Sequence, residues 1–253
     1  MESQGGETTM NQIEMLSQWV AESQNVVFFG GAGVSTESGI PDFRSQDGLY
    51  HQHYDLPPET ILSHDYFMSH TQEFYRFYRD KMLCLDVKPN AAHLTLAKWE
   101  QQGKLKAVVT QNIDGLHQKA GSRKVYELHG SVYRNYCMSC GAAYPVEQIA
   151  QGEGVPHCPH CGGIIKPDVV LYQESLDGRT IQGAVEAIAN ADLLIVGGTS
   201  LVVYPAAGLL EYYRGNRLAL INRDATSYDQ RAGLVIREPI GKVMEEISSL
   251  LDA

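Results

Sequence analysis

The 253-residue chain is poor in several features that mark whole classes of proteins. It has no run of roughly 18 apolar residues, the length that a helix needs to cross a bilayer. Basic residues are scarce, because 20 Lys and Arg against 30 Asp and Glu give a formal net charge of −10. Such a chain repels phosphate backbones and anionic lipids, so we expect neither a nucleic-acid partner nor a membrane partner.

Cysteine is rare, with five in the chain, and the sequence shows no fixed-period repeat. The first sixteen residues, MESQGGETTMNQIEML, lack the basic start and apolar stretch of a secretory signal. We therefore expect a cytoplasmic protein, in a reducing compartment where a disulfide framework does not form. The length and the hydrophobic content of 43% predict one large globular domain, or one with a small satellite.

Short apolar segments alternate with helical patterns along much of the chain. Buried strands are predicted at residues 25–30, 106–110, 191–197 and 217–222, with a weaker candidate at 124–128. Apolar residues at helical spacing predict helices at residues 10–23, 89–102, 180–191, 205–213 and 239–251. This alternation predicts an α/β fold, a Rossmann-like doubly wound parallel sheet covered on both faces.

Two segments interrupt the alternation. Residues 45–87 are aromatic and helical in character, whereas residues 133–167 are rich in Cys, Gly, Pro and His. We predict that both are insertions and together form a smaller lobe, leaving residues 1–44, 88–132 and 168–253 to the sheet domain. A cleft between such a lobe and the sheet is a common place for a ligand.

The small-lobe segment contains Cys137-Met-Ser-Cys140 and Cys158-Pro-His-Cys161, two pairs separated by 17 residues. This spacing predicts a structural zinc ribbon, since each pair places two thiolates on one turn. The alternatives are two redox pairs or four unrelated thiols. His157 and His160 could replace a cysteine ligand, but we expect both to face solvent. The fifth cysteine, Cys84, is predicted to be a small buried hydrophobe.

A glycine-rich segment, FGGAGVST at residues 29–36, follows the first predicted strand. Glycines there let the backbone approach a pyrophosphate at the start of a helix, although Thr36 stands where Gly-x-Gly-x-x-Gly has its third glycine. The alternative is a tight strand-to-helix turn. In the next motif, GIPDFR at residues 39–44, Arg44 can bind phosphate and Phe43 can cover a reacting ring. The alternative for this motif is a loop with a surface ion pair.

Polar residues follow several predicted strands: TQNID at 110–114, ELHG at 127–130, GTS at 198–200 and LINR at 220–223. Ligands of open parallel sheets bind beyond the carboxyl ends of the strands. Among these residues His129 is the candidate general base, because an unperturbed imidazole has a pKa of about 6.5. The alternative is a structural histidine.

In combination these motifs resemble the sirtuins, the NAD-dependent protein-lysine deacylases, and specifically the short bacterial type. The matching blocks are residues 31–36, 39–44, 110–117 and 127–130, the four cysteines, and residues 198–203 and 221–222. The resemblance extends from about Asn25 to the end of the chain. It implies a deacetylase that transfers an uncharged acyl group from lysine to NAD, releasing nicotinamide and O-acetyl-ADP-ribose.

The resemblance also implies roles for individual residues. The NAD contacts would be Ala32, Thr36, Phe43, Arg44, Gln111, Ile113, Asp114, His129, Thr199, Ser200, Asn222 and Ile236. The catalytic set would be His129, Asn112 and Asp114, with His129 as the base and Asp114 holding the nicotinamide carboxamide. An acetyl-lysine segment of a partner protein would pair as an added strand near Val169, Leu171 and Val202. Nicotinamide would be a product and an inhibitor.

Two departures from the family pattern concern the acyl-peptide side. Where many relatives have Phe-Gly-Glu, this chain has Tyr172-Gln173-Glu174, which affects peptide docking rather than NAD chemistry. Relatives that prefer succinyl or malonyl lysine have a Tyr-x-x-Arg pair, and the corresponding residues here are Tyr75 and Tyr78. We therefore expect acetyl or other uncharged acyl groups.

Two other functions fit the same motifs. A mono-ADP-ribosyltransferase would share the NAD site and the release of nicotinamide. A non-enzymatic sensor of NAD or ADP-ribose would share the binding site and leave His129 without a chemical role.

Overall fold

A computed structural model describes residues 3–42 and 56–252 of the chain. Its larger sheet has six parallel strands: β1 (Val26–Gly30), β2 (Leu105–Thr110), β3 (Val125–Glu127), β7 (Leu193–Gly197), β8 (Arg217–Ile221) and β9 (Leu234–Ile236). Their order in the sheet is β3-β2-β1-β7-β8-β9. This is the order of a doubly wound Rossmann-like sheet, with its switch point between β1 and β7. The predicted fold class is confirmed.

The sheet is covered on both faces because its strands are apolar on both sides. Along β1, Val26 and Phe28 join one buried core while Val27 and Phe29 join the other. The first core is covered by α1 (Ser3–Glu22), α5 (Ala91–Gln101) and α9 (Ile240–Asp252), and the second by α8 (Gly178–Ala189) and a 3-10 helix at Ala206–Tyr212. A continuous apolar strand is therefore the signature of a central strand here.

The helices lie close to the predicted positions, and polar side chains fix their first turns. Asn90 accepts a hydrogen bond from the Ala92 amide at the start of α5, and Asp177 accepts one from the Thr180 amide at the start of α8. The sequence pattern does not predict the short α6 (Leu116–Ala120) or the three-residue β9.

The second lobe combines the two predicted insertions. Its helical part contains α2 (Pro58–Ile61), α3 (His64–Ser69) and α4 (Thr71–Phe77), followed by a π-helical turn at Tyr78–Met82. The other part contains α7 (Glu147–Ala150) and an antiparallel sheet of β4 (Gly130–Cys137), β5 (Ala143–Pro145) and β6 (Ile165–Val169), in the order β5-β4-β6. Side chains from both parts share one apolar core. The predicted domain boundaries remain a prediction, and β4 and β6 run across two of them.

Tyr75 and Tyr78 are fully buried in the small-lobe core. The Tyr75 hydroxyl donates a hydrogen bond to the Ile165 carbonyl, and the Arg79 guanidinium lies 5.3 Å from the Tyr75 ring centre. Both rings therefore tie the helical insertion to the antiparallel sheet.

Within the described part of the chain, no helix is both long and apolar enough to cross a membrane.

A pair of buried histidines, His93 and His117, packs on the first core. Their ring centres are 4.8 Å apart, and neither ring nitrogen of His117 has a hydrogen-bond partner among the described residues. Burial lowers the pKa of His93 to about 4, against the opposing charge of Asp114. Burial also lowers the pKa of His117 far below its usual value, and His93 lowers it further.

Because the folded protein binds these two protons less tightly than the unfolded chain, the neutral imidazoles stabilise the fold above about pH 6.5. We predict that the free energy of unfolding falls as the pH drops from about 6.5 towards 4. The variant His117→Leu should flatten this pH dependence in urea unfolding curves. An equal slope in wild type and His117→Leu would contradict the assignment.

Candidate functional site

A cavity of about 430 Å³ opens where the carboxyl ends of the parallel strands face the second lobe. Residues that follow β1, β2, β3, β7 and β8 line one side of it, and residues of the second lobe line the other. The volume is within the range of small-molecule sites, and the position is the switch point of the sheet. The predicted convergence of polar strand ends is found here.

Two glycine loops cross at the switch point. The Gly33 amide donates to the Gly198 carbonyl over 2.8 Å, and a Cβ on Gly33 would lie 2.8 Å from the Gly198 Cα. The loops can approach this closely because neither residue has a side chain at the crossing. The glycines are therefore required by the packing of the loop after β1 on the loop after β7. Gly31, Ala32 and Gly33 still line the cavity.

The loop after β1 does not lead into an α-helix. It forms two 3-10 turns, Ala32–Val34 and Thr36–Ser38. The expected helix N-terminus opposite an anion is therefore replaced by two short turns, and Gly39, at φ 93°, ends the second of them. A glycine accepts this left-handed conformation without strain.

The loops after β1 and β2 are joined by a polar network. The Ser35 hydroxyl donates to Asp114 Oδ2 over 2.7 Å and accepts from Asn112 Nδ2 over 3.0 Å. The other Asp114 oxygen accepts from the Leu116 amide. Asn112 and Asp114, both predicted site residues, are thus held together through Ser35, a residue that the prediction missed. Its position inside the glycine-rich motif was the available signal.

His129 lies in the cavity lining at the end of β3, with a defined orientation. Its Nδ1 lies 2.9 Å from the Gln111 carbonyl, which can only accept, so the ring donates its Nδ1 proton there. The Nε2 of the neutral ring is then free to accept a proton. Burial lowers the pKa of His129, while the hydrogen bond to Gln111 raises it. The ring is therefore neutral at physiological pH.

Gln111 connects the two halves of the cavity. Its carbonyl orients His129, and its side-chain Nε2 donates to Thr199 Oγ1 over 3.0 Å, across the switch point. Thr199 is buried and Ser200 is exposed, and both line the cavity. Asn222, also in the lining, donates from Nδ2 to the Asp224 carbonyl. The predicted residues after β2, β3, β7 and β8 are thus brought to one place.

Two predicted ligand contacts, Ile236 and Val202, lie outside the described cavity lining. Ile236 is fully buried in the first core and is not one of the described cavity-lining residues, because β9 turns that side chain towards the helices; Ile240 lines the cavity instead. Val202 is 57% exposed and also lies outside that lining. Phe43 and Arg44 lie outside the residues that the structure describes.

The second lobe contributes the opposite side of the cavity. Val169 and Leu171, both predicted substrate contacts, line it, as do Ile113 and Thr36 from the sheet side.

The prediction that Cys84 is a buried hydrophobe is wrong. Its side chain is half-buried and in the cavity lining, because the turn after the π-helical segment places it at the surface of the cleft.

The four paired cysteines converge at the far end of the second lobe. Their sulfur atoms lie within 4.8 Å of one another, with Cys137 to Cys161 at 3.4 Å and Cys140 to Cys158 at 3.6 Å. Zinc–sulfur bonds of about 2.3 Å place tetrahedral sulfurs roughly 3.8 Å apart, so four thiolates fit one zinc ion.

The surroundings of the sulfurs also suit a bound cation. The Tyr144 hydroxyl lies 2.9 Å from the Cys158 sulfur, and the Ser139 amide donates to the Cys137 sulfur. Such donors stabilise the negative charge of metal-bound thiolates. The flanking His157 and His160 are exposed, as predicted. This donor set forms a structural zinc site with no position left for water.

Comparisons with known proteins agree with this geometry. Residues 31–205 match the sequence profile of the Sir2 family. An NAD-dependent protein deacetylase of Clostridium acetobutylicum is 61% identical over 241 residues, covering 94% of this chain and 98% of the relative. A protein of the same name from Cutibacterium acnes is 54% identical over 236 residues, 92% and 96% of the two chains.

Solved structures agree as well. A Sir2 complex with a p53 peptide and NAD+ is 39% identical, with a TM-score of 0.84 over 94% of this chain and 98% of that one. A Sir2 structure bound to an acetylated peptide is 37% identical, with a TM-score of 0.83 over the same shares of the two chains.

The zinc site yields a stability prediction. The variant Cys137→Ser should lose one thiolate ligand, release zinc and lower the melting temperature, since the metal contributes folding free energy to the second lobe. Zinc content by atomic emission and melting by circular dichroism would measure both effects, with Cys84→Ser, which is not a ligand, as the matched control. Full melting temperature and activity in metal-free protein would contradict a structural zinc.

Proposed function

The chain belongs to the Sir2 family, and we propose that it is an NAD-dependent protein deacetylase that removes acetyl groups from lysine side chains. Relatives named for this activity match it over nearly their whole length. The observation that carries the proposal is the histidine at the end of β3, held as a neutral base in a cavity at the switch point of a dinucleotide-type sheet.

The residues after the strands suit an extended dinucleotide. Ala32, Thr36 and Gln111 lie around the switch point and suit the pyrophosphate and the adjoining ribose. Thr199, Ser200 and Asn222 lie towards β8 and suit the adenosine half. Phe43 and Arg44 complete the proposed contacts. NAD would supply the ribose C1′, to which the carbonyl oxygen of the acetyl-lysine amide would bond as the C1′–N bond to nicotinamide breaks.

The polar network of Asn112, Ser35 and Asp114 suits the nicotinamide end. Asp114 is fixed by the Ser35 hydroxyl and the Leu116 amide, so its carboxylate is oriented before any ligand arrives. A carboxylate oxygen accepts hydrogen bonds and therefore matches the amide N–H groups of a carboxamide. The apolar side chain of Ile113 lines the same cavity and helps to exclude water from the reacting centre.

His129 acts as the general base. Its Nδ1 proton is committed to the Gln111 carbonyl, so Nε2 accepts the proton that the ribose hydroxyl loses when it attacks the acetyl carbon. Burial keeps the ring neutral and thus competent at pH 7. Water then releases the free lysine, and the acetyl group leaves on the ADP-ribose.

The partner is an acetyl-lysine segment of another protein. We place it as an added strand at Val169 and Leu171, which line the cavity next to β6.

Nicotinamide is the product and, since it can rebind beside Asp114, an inhibitor. A cytoplasmic location suits the five free cysteines, since disulfide frameworks form in oxidising compartments. Neither nucleic acid nor membrane is a partner of this negatively charged chain.

Mass spectrometry of an acetyl-lysine peptide incubated with the protein and NAD tests the proposal. We expect the peptide to lose one acetyl group, with nicotinamide released in equal amount. A succinyl peptide should react much more slowly, since neither Tyr75 nor Tyr78 offers a cation. A peptide that gains an ADP-ribosyl group would show a transferase instead, and NAD binding without nicotinamide release would show a sensor.

The role of His129 yields a pH prediction. Because burial holds its pKa below the ordinary value of about 6.5, kcat/KM should stay constant down to that pH and fall only below it, as the ring becomes protonated. The variant His129→Ala should lower turnover by roughly 100-fold or more while NAD binding, measured by calorimetry, survives. A kcat/KM of the wild type that stays constant as the ring becomes protonated, or full turnover in His129→Ala, would refute the role of His129 as the base.

A further inference from the structure

Gln173 has an uncommon backbone conformation. It lies in the cavity lining with φ at 76°, in the left-handed region that a residue with a Cβ seldom occupies. Such conformations persist where surrounding contacts hold them, and they concentrate at ligand-binding segments. A glycine would take this φ at no cost, so the glutamine side chain must contribute something that offsets the conformation.

Both polar atoms of the Gln173 side chain bond to a single residue, Asp65, at the start of α3. The Gln173 amide oxygen accepts from the Asp65 backbone N–H over 3.0 Å, and its Nε2 donates to Asp65 Oδ2 over 3.0 Å. Next to this pair, the Tyr172 amide donates to the Leu62 carbonyl and the His64 amide to the Tyr172 carbonyl. The segment of residues 169–174, here called the cleft segment, is thereby attached to the helical insertion.

Glu174, the last residue of the cleft segment, makes further contacts that hold the segment in place. One Glu174 oxygen accepts from the Leu171 amide over 2.9 Å and from Lys166 Nζ over 3.1 Å; the other lies 3.0 Å from His64 Nδ1. Lys166 is buried, and its ammonium also donates to the Val169 carbonyl over 3.0 Å. A buried charge with this many partners holds its neighbours in one arrangement, because any displacement leaves it unpaired.

The cleft segment also bonds to the residue that performs the chemistry. The Val170 amide donates to the His129 carbonyl over 3.0 Å, so the base and the segment share one backbone contact. His129 has a separate anchor in the Gln111 carbonyl, which does not depend on the cleft segment. Loosening the segment should therefore disturb what lies against it more than it disturbs the ring.

We infer that Gln173 is a positioning residue, which clamps the cleft segment to Asp65 and thereby sets the affinity for the acetylated peptide. The inference rests on the proposed function, since it takes the peptide to pair with this segment. A segment already fixed in one conformation loses little conformational freedom when a strand is added to it. The clamp thus lowers the KM for the peptide and leaves the NAD site unaffected.

Steady-state kinetics of two single variants and their combination test the clamp. Gln173→Gly accepts the same φ but loses both side-chain bonds, and Asp65→Ala removes the acceptor carboxylate. We expect Asp65→Ala, which loses one of the two bonds, to raise the KM for an acetylated peptide about 5- to 10-fold, and Gln173→Gly, which loses both, to raise it at least as much. The values of kcat and of KM for NAD should stay within about twofold of the wild type. The double variant should be no worse than the worse single variant.

Two control variants test whether the effect is specific to the Gln173–Asp65 hydrogen bonds. Asp65→Asn keeps an oxygen that can accept from Gln173 Nε2, so it should restore most of the peptide affinity. Gln182→Ala changes an exposed glutamine that bonds within α8, and it should leave every constant unchanged. An unchanged peptide KM in Gln173→Gly and Asp65→Ala, or effects that simply add in the double variant, would overturn the inference.

Amide hydrogen exchange of the free protein separates this inference from the proposed function. In Gln173→Gly and Asp65→Ala the amides of His64 and Tyr172 should exchange faster than in wild type, while the amides of β1 keep their protection. This readout needs no turnover, so a wild type without deacetylase activity would refute the proposed function alone. Unchanged exchange at both amides would refute the clamp.

Discussion

The close crossing of two backbone loops at the switch point is the constraint on which the site depends. Gly33 and Gly198 pass each other at a distance that excludes any side chain, and this contact packs the loop after β1 on the loop after β7. The polar residues that follow the neighbouring strands can then face one cavity. A residue with a Cβ at Gly33 would push the loops apart and disturb the floor of the site.

The chemistry of the site is prepared by hydrogen bonds to groups that cannot rearrange. The Gln111 carbonyl belongs to the backbone just after β2, so the tautomer of His129 is set by the sheet. Asp114 is likewise fixed by Ser35 and by the start of α6. Preorganised groups of this kind spend little free energy on reorientation when the reaction occurs. The structure therefore places rigid donors and acceptors on the sheet side and the cleft segment on the small lobe.

The sequence was sufficient to predict the elements whose signal is local. The apolar runs of β1, β2, β7 and β8, the paired cysteines and the polar strand ends all carry short patterns with a direct physical meaning. What it could not predict depends on tertiary contacts. Ile236 has the character of a ligand contact or of a core residue, and only the direction of β9 decides between them. The conformation of Gln173 has no local signature, because its partner Asp65 is distant in the sequence.

Strand β6 has one further consequence for how the molecule moves. It begins opposite Cys137 at the zinc end and finishes at Val169 in the cleft, and it is paired to β4 at both ends. One described connection between the lobes is therefore this pair of strands, whose register shifts between Gly130 and Asn135. Motion of its cleft end is limited by the elasticity of a sheet whose far end is fastened by the four zinc-ligating cysteines.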